Sequence, residues 1–294
     1  MKRPSDIRDL FVYFVEERER IRVMRDCLGD LPPYTEDPTL QKYSFCNVNR
    51  EHDRVTRWVA DNVRNLEITH EQMVLNIAVA RIFNEPRTLK HLLPFSKPKS
   101  LVMKVARLKR DNPDVSLFRG AYMMPSHGTS GKGVCSFEYW CNNVVSLEQL
   151  SLQECDSLRS LSDVIRQAKG FGDFLANQIC TDMRYTRFYP TSRTPDWTTF
   201  VLAGPGTQRG MARYYKTKPF GPNVFRQSRG CNQERLVALR EELSSVVSPN
   251  ILSHFQDINN LSNCFCEFDK FCRAIDIAPS DTRHRVGLRE FKKR

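Results

Sequence analysis

The stretch Thr69-His70-Glu71-Gln72-Met73-Val74-Leu75-Asn76-Ile77-Ala78-Val79-Ala80-Arg81-Ile82-Phe83 decides the class of the fold. Thr69 and Gln72 have the spacing of a capping box, in which two side chains reciprocally satisfy the free backbone N–H groups at a helix start. Met73, Ile77, Val79 and Phe83 then follow at helical spacing, and Pro86 is expected to close the segment because its ring cannot continue the helical ladder. Upstream, Ile7, Leu10, Phe11, Phe14, Val15, Ile21 and Met24 keep the same period, with Ser5 the expected N-cap and Gly29 the expected stop. That phase puts the charged run Glu16 to Arg22 mainly on a solvated side. Beyond Leu31-Pro32-Pro33, Val55, Trp58, Val59 and Val63 predict helix within 37–65.

Downstream, a basic helix is expected over 97–110, a helix opened by a Ser146/Gln149 box, and further helices over 158–168, 171–185, 234–245 and 257–277. Strand-like alternation is nowhere sustained, so the fold class is mostly α. The irregular piece from Phe118 to Lys132 separates two helical lobes, 1–117 and 133–280, within one domain of 1–294. It reads as an active-site loop. Residues 281–294 form a basic tail.

The chain has 294 residues, enough for a sizeable core, and its 40% hydrophobic content excludes a disordered or low-complexity class. Forty-five Lys and Arg against 34 Asp and Glu leave +11, a field suited to nucleic acid or to a phosphate-bearing substrate. No stretch approaches the length of a membrane span and residues 1–8 lack a signal core, so an intracellular protein without a membrane is expected. Ten scattered cysteines read as reduced core thiols.

Several constellations carry chemistry. Gly128-Thr129-Ser130-Gly131-Lys132-Gly133 imitates a phosphate loop but lacks the required Gly, four spacers and Gly-Lys-Ser/Thr, so nucleotide hydrolysis is not implied. The cysteines at 264, 266 and 272 have no fourth partner nearby, and the six histidines lack metal spacing, so no metal site is assigned. Leu202-Ala203-Gly204-Pro205-Gly206, with Arg209 after it, has the form of a hairpin between two helices; its backbone N–H groups and Arg209 suit a DNA phosphate, and a plain turn is equally compatible. In Asn47-Val48-Asn49-Arg50-Glu51-His52-Asp53-Arg54-Val55-Thr56-Arg57-Trp58, helical phase would put Arg50, Arg54 and Arg57 on one face able to clamp phosphate, with pairing to nearby acids as the alternative. Asp182, Glu267 and Asp269, the last two beside Lys270 and Arg273, are candidate general bases or structural ion pairs.

In order along the chain, the 47–58 run, Asp37-Pro38 with Gln41-Lys42-Tyr43, Phe118-x-Gly120-Ala121-Tyr122, Asp182-x-x-Tyr185, Ala203-Gly204-Pro205-Gly206 with Arg209-Gly210, and Cys266-Glu267-Phe268-Asp269-Lys270 resemble the α-glutamyl/putrescinyl-thymine pyrophosphorylases, or amino acid:DNA transferases. Their helical domain is shared with phage 5-hydroxymethyluracil DNA kinases. The resemblance implies a helix-hairpin-helix, DNA glycosylase-like architecture and a role in thymine hypermodification of phage DNA. It further implies that a separate kinase first makes a pyrophosphoryloxymethyl base and that this chain, with no kinase domain fused, exchanges the pyrophosphate for an amine, either an amino acid or a polyamine.

On that reading Asn47, Arg50, Arg54, Arg57, Lys270 and Tyr122 contact substrate or phosphate, Gly204, Gly206 and Arg209 contact DNA, and Asp182, Glu267 or Asp269 removes the amine proton. Trp58 or Tyr122 is placed to stack on a flipped base. No cofactor is required, although Mg2+ bridging the pyrophosphate oxygens is chemically compatible. A glycosylase-like enzyme and a non-enzymatic DNA-binding protein are the competing readings.

Overall fold

The computed structural model describes residues 3–115, 117, 137–153, 155–216, 229–275 and 289–290. In chain order these form α1 (Ile7–Arg22), α2 (Pro38–Lys42), β1 (Tyr43–Ser44), α3 (Arg54–Val59), α4 (His70–Phe83), α5 (Pro86–Leu92), α6 (Pro98–Asp111), α7 (Phe137–Glu148), α8 (Leu158–Ile165), α9 (Asp173–Met183), α10 (Pro205–Tyr214), α11 (Arg229–Leu243), α12 (Pro249–His254), α13 (Ile258–Ala274) and β2 (Arg289–Glu290). The strands pair antiparallel, Tyr43 opposite Glu290. The fold is mostly helical. Among the described residues no helix is long and apolar enough to cross a membrane, and the cysteines with described side chains are free thiols. Contacts divide the chain into two units, Met1–Asp53 with Thr198–Arg294, and Arg54–Trp197.

In the first unit, α1 is capped by Asp6, which accepts from the Arg8 N–H, one residue after the expected Ser5. After Arg22 it widens into a π-helical turn, Val23–Leu28, and stops at Gly29, whose φ of 71° lies in the left-handed region that glycine tolerates best. The apolar side of α1 packs on α13, with Phe11 stacked on Phe265 at 4.3 Å and Phe14 on Phe271 at 4.6 Å. The charged run of α1 is not mainly solvated. Arg18 and Glu19 are buried, and Glu16 accepts from both the N–H and the hydroxyl of Ser248. That side of α1 is covered by polar partners from distant sequence, which helical periodicity does not register.

Helix α10 approaches α13 closely because Gly206 and Gly210 lie one turn apart: a Cβ would collide with Cys266 Sγ at the first and with the Phe265 carbonyl oxygen at the second. Gly204 is the N-cap in extended backbone and borders open space. The helix expected immediately before this turn is missing. Residues 184–204 are turns and extended chain, interrupted by Pro190 and Pro195, so the turn does not join two consecutive helices.

The second unit is built around α4, buried from Met73 to Phe83 as a helix that is apolar nearly all round must be. Its capping box forms as expected, Gln72 N donating to Thr69 Oγ1 and Thr69 N to Gln72 Oε1, both at 3.2 Å. Asn84 ends the helix with φ at 49°, and Pro86, expected to close this helix, instead opens α5, where its missing N–H costs nothing. Around α4 pack α9, whose Ile179, Cys180 and Met183 are buried, and α7, whose Trp140 and Val144 are buried. Helix α7 begins at Phe137 and passes through Ser146, so Ser146 opens no helix; Ser157 caps the next one by accepting from Ser160 N. The expected helical content of 37–65 is broken, because Asp53 is extended (φ −72°, ψ 138°) and α3 starts only at Arg54. Tyr122, the 118–132 loop, the Gly128 to Gly133 segment and most of the basic tail lie outside the described residues.

Candidate functional site

Helix α13 presents Asn260, Asn263, Glu267 and Lys270 at spacings of three and four, hence along one stripe. The segment carrying residues 46–53 lies on that stripe. Arg50 N donates to Asn260 Oδ1 and Arg50 Nη1 to Asn263 Oδ1, each at 3.0 Å, while Cys46 N donates to Glu267 Oε2 at 3.3 Å. Asp53 closes the loop on itself, accepting from Arg50 Nε at 2.5 Å and from Asn47 N at 3.0 Å. Arg25 Nη2 reaches Asn47 Oδ1 at 3.4 Å. Of the residues expected to meet substrate, Asn47, Arg50, Glu267 and Lys270 are thereby held in one network.

Lys270 Nζ donates to Glu267 Oε1 at 2.6 Å. Burial opposes the charge on Glu267, but Lys270, Arg18 and the Cys46 N–H outweigh it and hold the carboxyl below the usual carboxylate range. Burial likewise opposes the ammonium of Lys270, and Glu267 more than compensates, raising it to about 12. At neutral pH the two are a charged pair. Glu267 itself is almost fully covered, whereas the Lys270 side chain is 29% exposed, so water and ligands reach the pair from the lysine side. Cys46 beside them is pushed up to about 12 by burial, with the Glu267 charge adding to it, and stays a thiol.

The opposite side of α13 carries a different arrangement. Asp269 is fully buried and accepts from Arg209 Nε and Arg213 Nε at 2.9 Å each, with Arg273 Nη2 at 3.2 Å. Arg209 is therefore engaged with a carboxylate on the helix its neighbours Gly206 and Gly210 pack against. Asp269 and Glu267, two residues apart, face different partners and do not form a carboxylate pair.

Asp182 belongs to the second unit, at the end of α9. It is fully buried, and its oxygens accept from Arg64 Nε at 3.0 Å and from Arg81 Nη2 at 2.7 Å, besides a further contact to each arginine. Burial works against its ionisation, yet the Arg81 and Arg64 charges prevail and keep the carboxyl below the usual range. Arg64 also lies over the Tyr185 ring at 5.1 Å. Because Asp53 is extended, Arg50 is out of phase with α3 and the three-arginine face does not form. Arg54 and Arg57, in the second unit, are exposed on α3 with no ion pair among the described residues, and Trp58 is half-buried.

Sequence reasoning missed Arg64, Arg81, Arg18 and Arg213, and it had Arg273 beside Asp269. Arg81 carried a usable signal, a lone charge inside the apolar run of α4, which demands a buried counter-charge. Arg18 carried none, since it lies in a run of charges that reads as surface. No group of three or more His, Cys, Asp or Glu side chains among the described residues is arranged to hold a metal ion.

The chain matches the family model described as the helical domain of 5-hmdU DNA kinase over residues 5–278. A relative from Bacillus phage SP10, named 5-hmdU DNA kinase, is 25% identical over 225 residues, covering 69% of this chain and 35% of the relative. The chain thus spans about a third of the length of the curated relative it matches. No solved structure matches. With nearly its whole length inside the family model, this chain belongs to the family of the 5-hmdU DNA kinase helical domain.

Proposed function

We propose that the chain is a DNA base-modifying transferase of thymine hypermodification in phage DNA, replacing the pyrophosphate of 5-pyrophosphoryloxymethyluracil with an amine. The observation that carries this reading is the family match over residues 5–278, to a domain named for an enzyme of 5-hmdU in DNA. The kinase acts upstream on this reading, and the setting is the cytoplasm of an infected host.

The chemistry breaks the bond between the base methylene and the pyrophosphate oxygen and forms a carbon–nitrogen bond, while the amine loses a proton. An aliphatic ammonium has no lone pair, so a carboxylate must hold and accept that proton. Glu267 is the best placed of the three nominated acids, because its partner is one partly exposed lysine rather than two or three guanidinium groups. Lys270, Arg50 and Asn47 would meet the departing pyrophosphate, where fixed donors stabilise developing charge. Arg54, Arg57 and the Gly204 turn would contact the DNA backbone, and the base would be extruded as in helix-hairpin-helix glycosylases. A Mg2+ ion would be chemically compatible with the pyrophosphate leaving group.

One observation favours a second reading, a DNA-recognition domain without catalysis: Asp182, Glu267 and Asp269 are all buried and all ion-paired. Nucleoside mass spectrometry separates the two. DNA containing pyrophosphoryloxymethyluracil is incubated with the protein and a mixture of polyamines and amino acids. A heavier nucleoside, whose mass identifies the amine, with release of pyrophosphate supports the transferase. An unchanged profile with retained DNA binding supports the recognition domain, and abasic sites would point to base removal.

A further inference from the structure

Between Pro86 and Arg110 the chain carries Arg87, Lys90, Lys97, Lys99, Lys104, Arg107, Lys109 and Arg110 and not one Asp or Glu. The structure distributes these cations over α5, α6 and the α6 N-cap Lys97, the two helices packing on each other and turning Leu89, Leu92, Leu101, Val105 and Leu108 inward. Two of the lysines are consumed by the fold. Lys104 Nζ donates to the carbonyls of Leu92 at 3.0 Å and Pro94 at 2.7 Å, and Lys109 Nζ to those of Pro113 at 3.3 Å and Val115 at 3.0 Å. The other six are exposed.

At one end of the run Glu85 caps α5 by accepting from Arg87 N at 3.3 Å, and just past the other end Asp111 lies 3.0 Å from Arg110 and 3.5 Å from Arg107. These arginine side chains are 74% and 77% exposed, so the pairs are weak and a phosphate can displace them. Helix α6 is about 21 Å long at 1.5 Å per residue. A DNA duplex of that length presents about a dozen phosphate charges. The one Phe, Tyr or Trp in the stretch, Phe95, is buried, so the face offers no platform on which unpaired bases stack. A basic surface without exposed aromatic rings suits the backbone of a duplex rather than a single strand.

We propose that the exposed cations of α5 and α6 form a duplex-DNA docking track, reading phosphates without regard to sequence and made of residues other than those nominated for the reaction. This rests on the reading that DNA is the substrate. The track would give the enzyme affinity for unmodified duplex, and hence a strongly salt-dependent encounter.

The test is fluorescence-anisotropy titration of a short, unmodified, unactivated duplex at several salt concentrations. Wild type is compared with Lys99→Gln/Arg107→Gln/Arg110→Gln and with a control of exposed cations elsewhere in the same unit, Lys169→Gln/Arg193→Gln. Circular dichroism verifies that each variant retains its helices. The triple variant should flatten the dependence of log K on log salt by about 0.9 per lost contact and weaken binding at least about tenfold near 0.1 M salt, with the control close to wild type. An unchanged slope overturns the track. So does an equal loss per charge in the control, which would show only net charge at work, and so does tighter binding to a single strand of the same length. Turnover of activated DNA is scored separately: wild-type turnover with unaltered binding by the triple variant breaks the track and spares the transferase, and the converse result breaks the transferase alone.

Discussion

Asp182 in the second unit and Glu267 in the first are both buried carboxylates nominated for the same role, and their surroundings differ. Asp182 is wrapped by two arginines, themselves almost fully covered, on α4 and on the turn after α3. Glu267 has one lysine, partly exposed, and one backbone N–H from the loop at Cys46. Guanidinium groups are planar, fixed in charge and geometrically matched to carboxylate, so a carboxylate between two of them has its acceptor positions saturated. A lysine on a flexible stem can swing away when a ligand arrives. Equal burial therefore conceals two kinds of pairing, one closed between covered guanidinium groups and the other open to solvent on the lysine side.

The largest effect is expected from Asp182→Ala. Removing it strands the Arg64 and Arg81 charges in the core, which should cost about 3–5 kcal/mol and lower the melting temperature by about 10 °C. An Asp182→Asn protein with wild-type melting and no turnover would break the comparison by making Asp182 a reacting group.

The same pair predicts a pH dependence. The folded-state value of Asp182 is depressed, so its contribution is complete above the unfolded carboxylate pKa of about 3.9 and is lost as pH falls through the lower folded value. Denaturant titrations across the acid range should show wild type losing stability there more steeply than Asp182→Asn.

For Glu267→Gln, turnover should fall by about 100-fold or more, the usual scale for a positioned base. Stability should fall by only about 1–2 kcal/mol, because the isosteric amide keeps an acceptor for the Cys46 N–H. Retained turnover would remove Glu267 from the reaction and favour the recognition-domain reading.

Two glycines sharpen the account of how the first unit seats α13. Gly210→Ala forces a methyl group onto the Phe265 carbonyl and should cost about 1–3 kcal/mol in a melting experiment. Gly204→Ala meets open space at an ordinary φ and should stay within about 0.5 kcal/mol. If Gly204→Ala instead lowers DNA affinity at unchanged stability, that turn acts on the ligand.

Much of the helical framework was legible residue by residue. The Thr69/Gln72 box, the stop at Gly29 and the basic helix ending near Arg110 depend on neighbours within one or two turns, and they form close to where the pattern puts them. The failures share a cause. Ser5, Ser146 and Pro86 each match a local signal, but Asp6 caps α1, packing carries α7 through Ser146, and Pro86 is used at a helix start. Within the candidate site, the residue types were readable and the pairings were not. Asn47, Arg50, Glu267 and Lys270 could be nominated one by one, but joining them takes contacts across more than 200 positions of sequence, such as Cys46 to Glu267.

What the sequence by itself determined is the helical class, the basic surface and the ordered motifs that place the chain in its family, since periodicity, charge and motif order are properties of a string. What only the tertiary structure decided is which charges remain available. Arg209 looks as free in sequence as Arg54 and Arg57, yet it is bound to Asp269 while the others face solvent. The reason is that a buried carboxylate takes whichever cation the packing of helices brings within about 3 Å, and that proximity is set by the fold rather than by spacing along the chain.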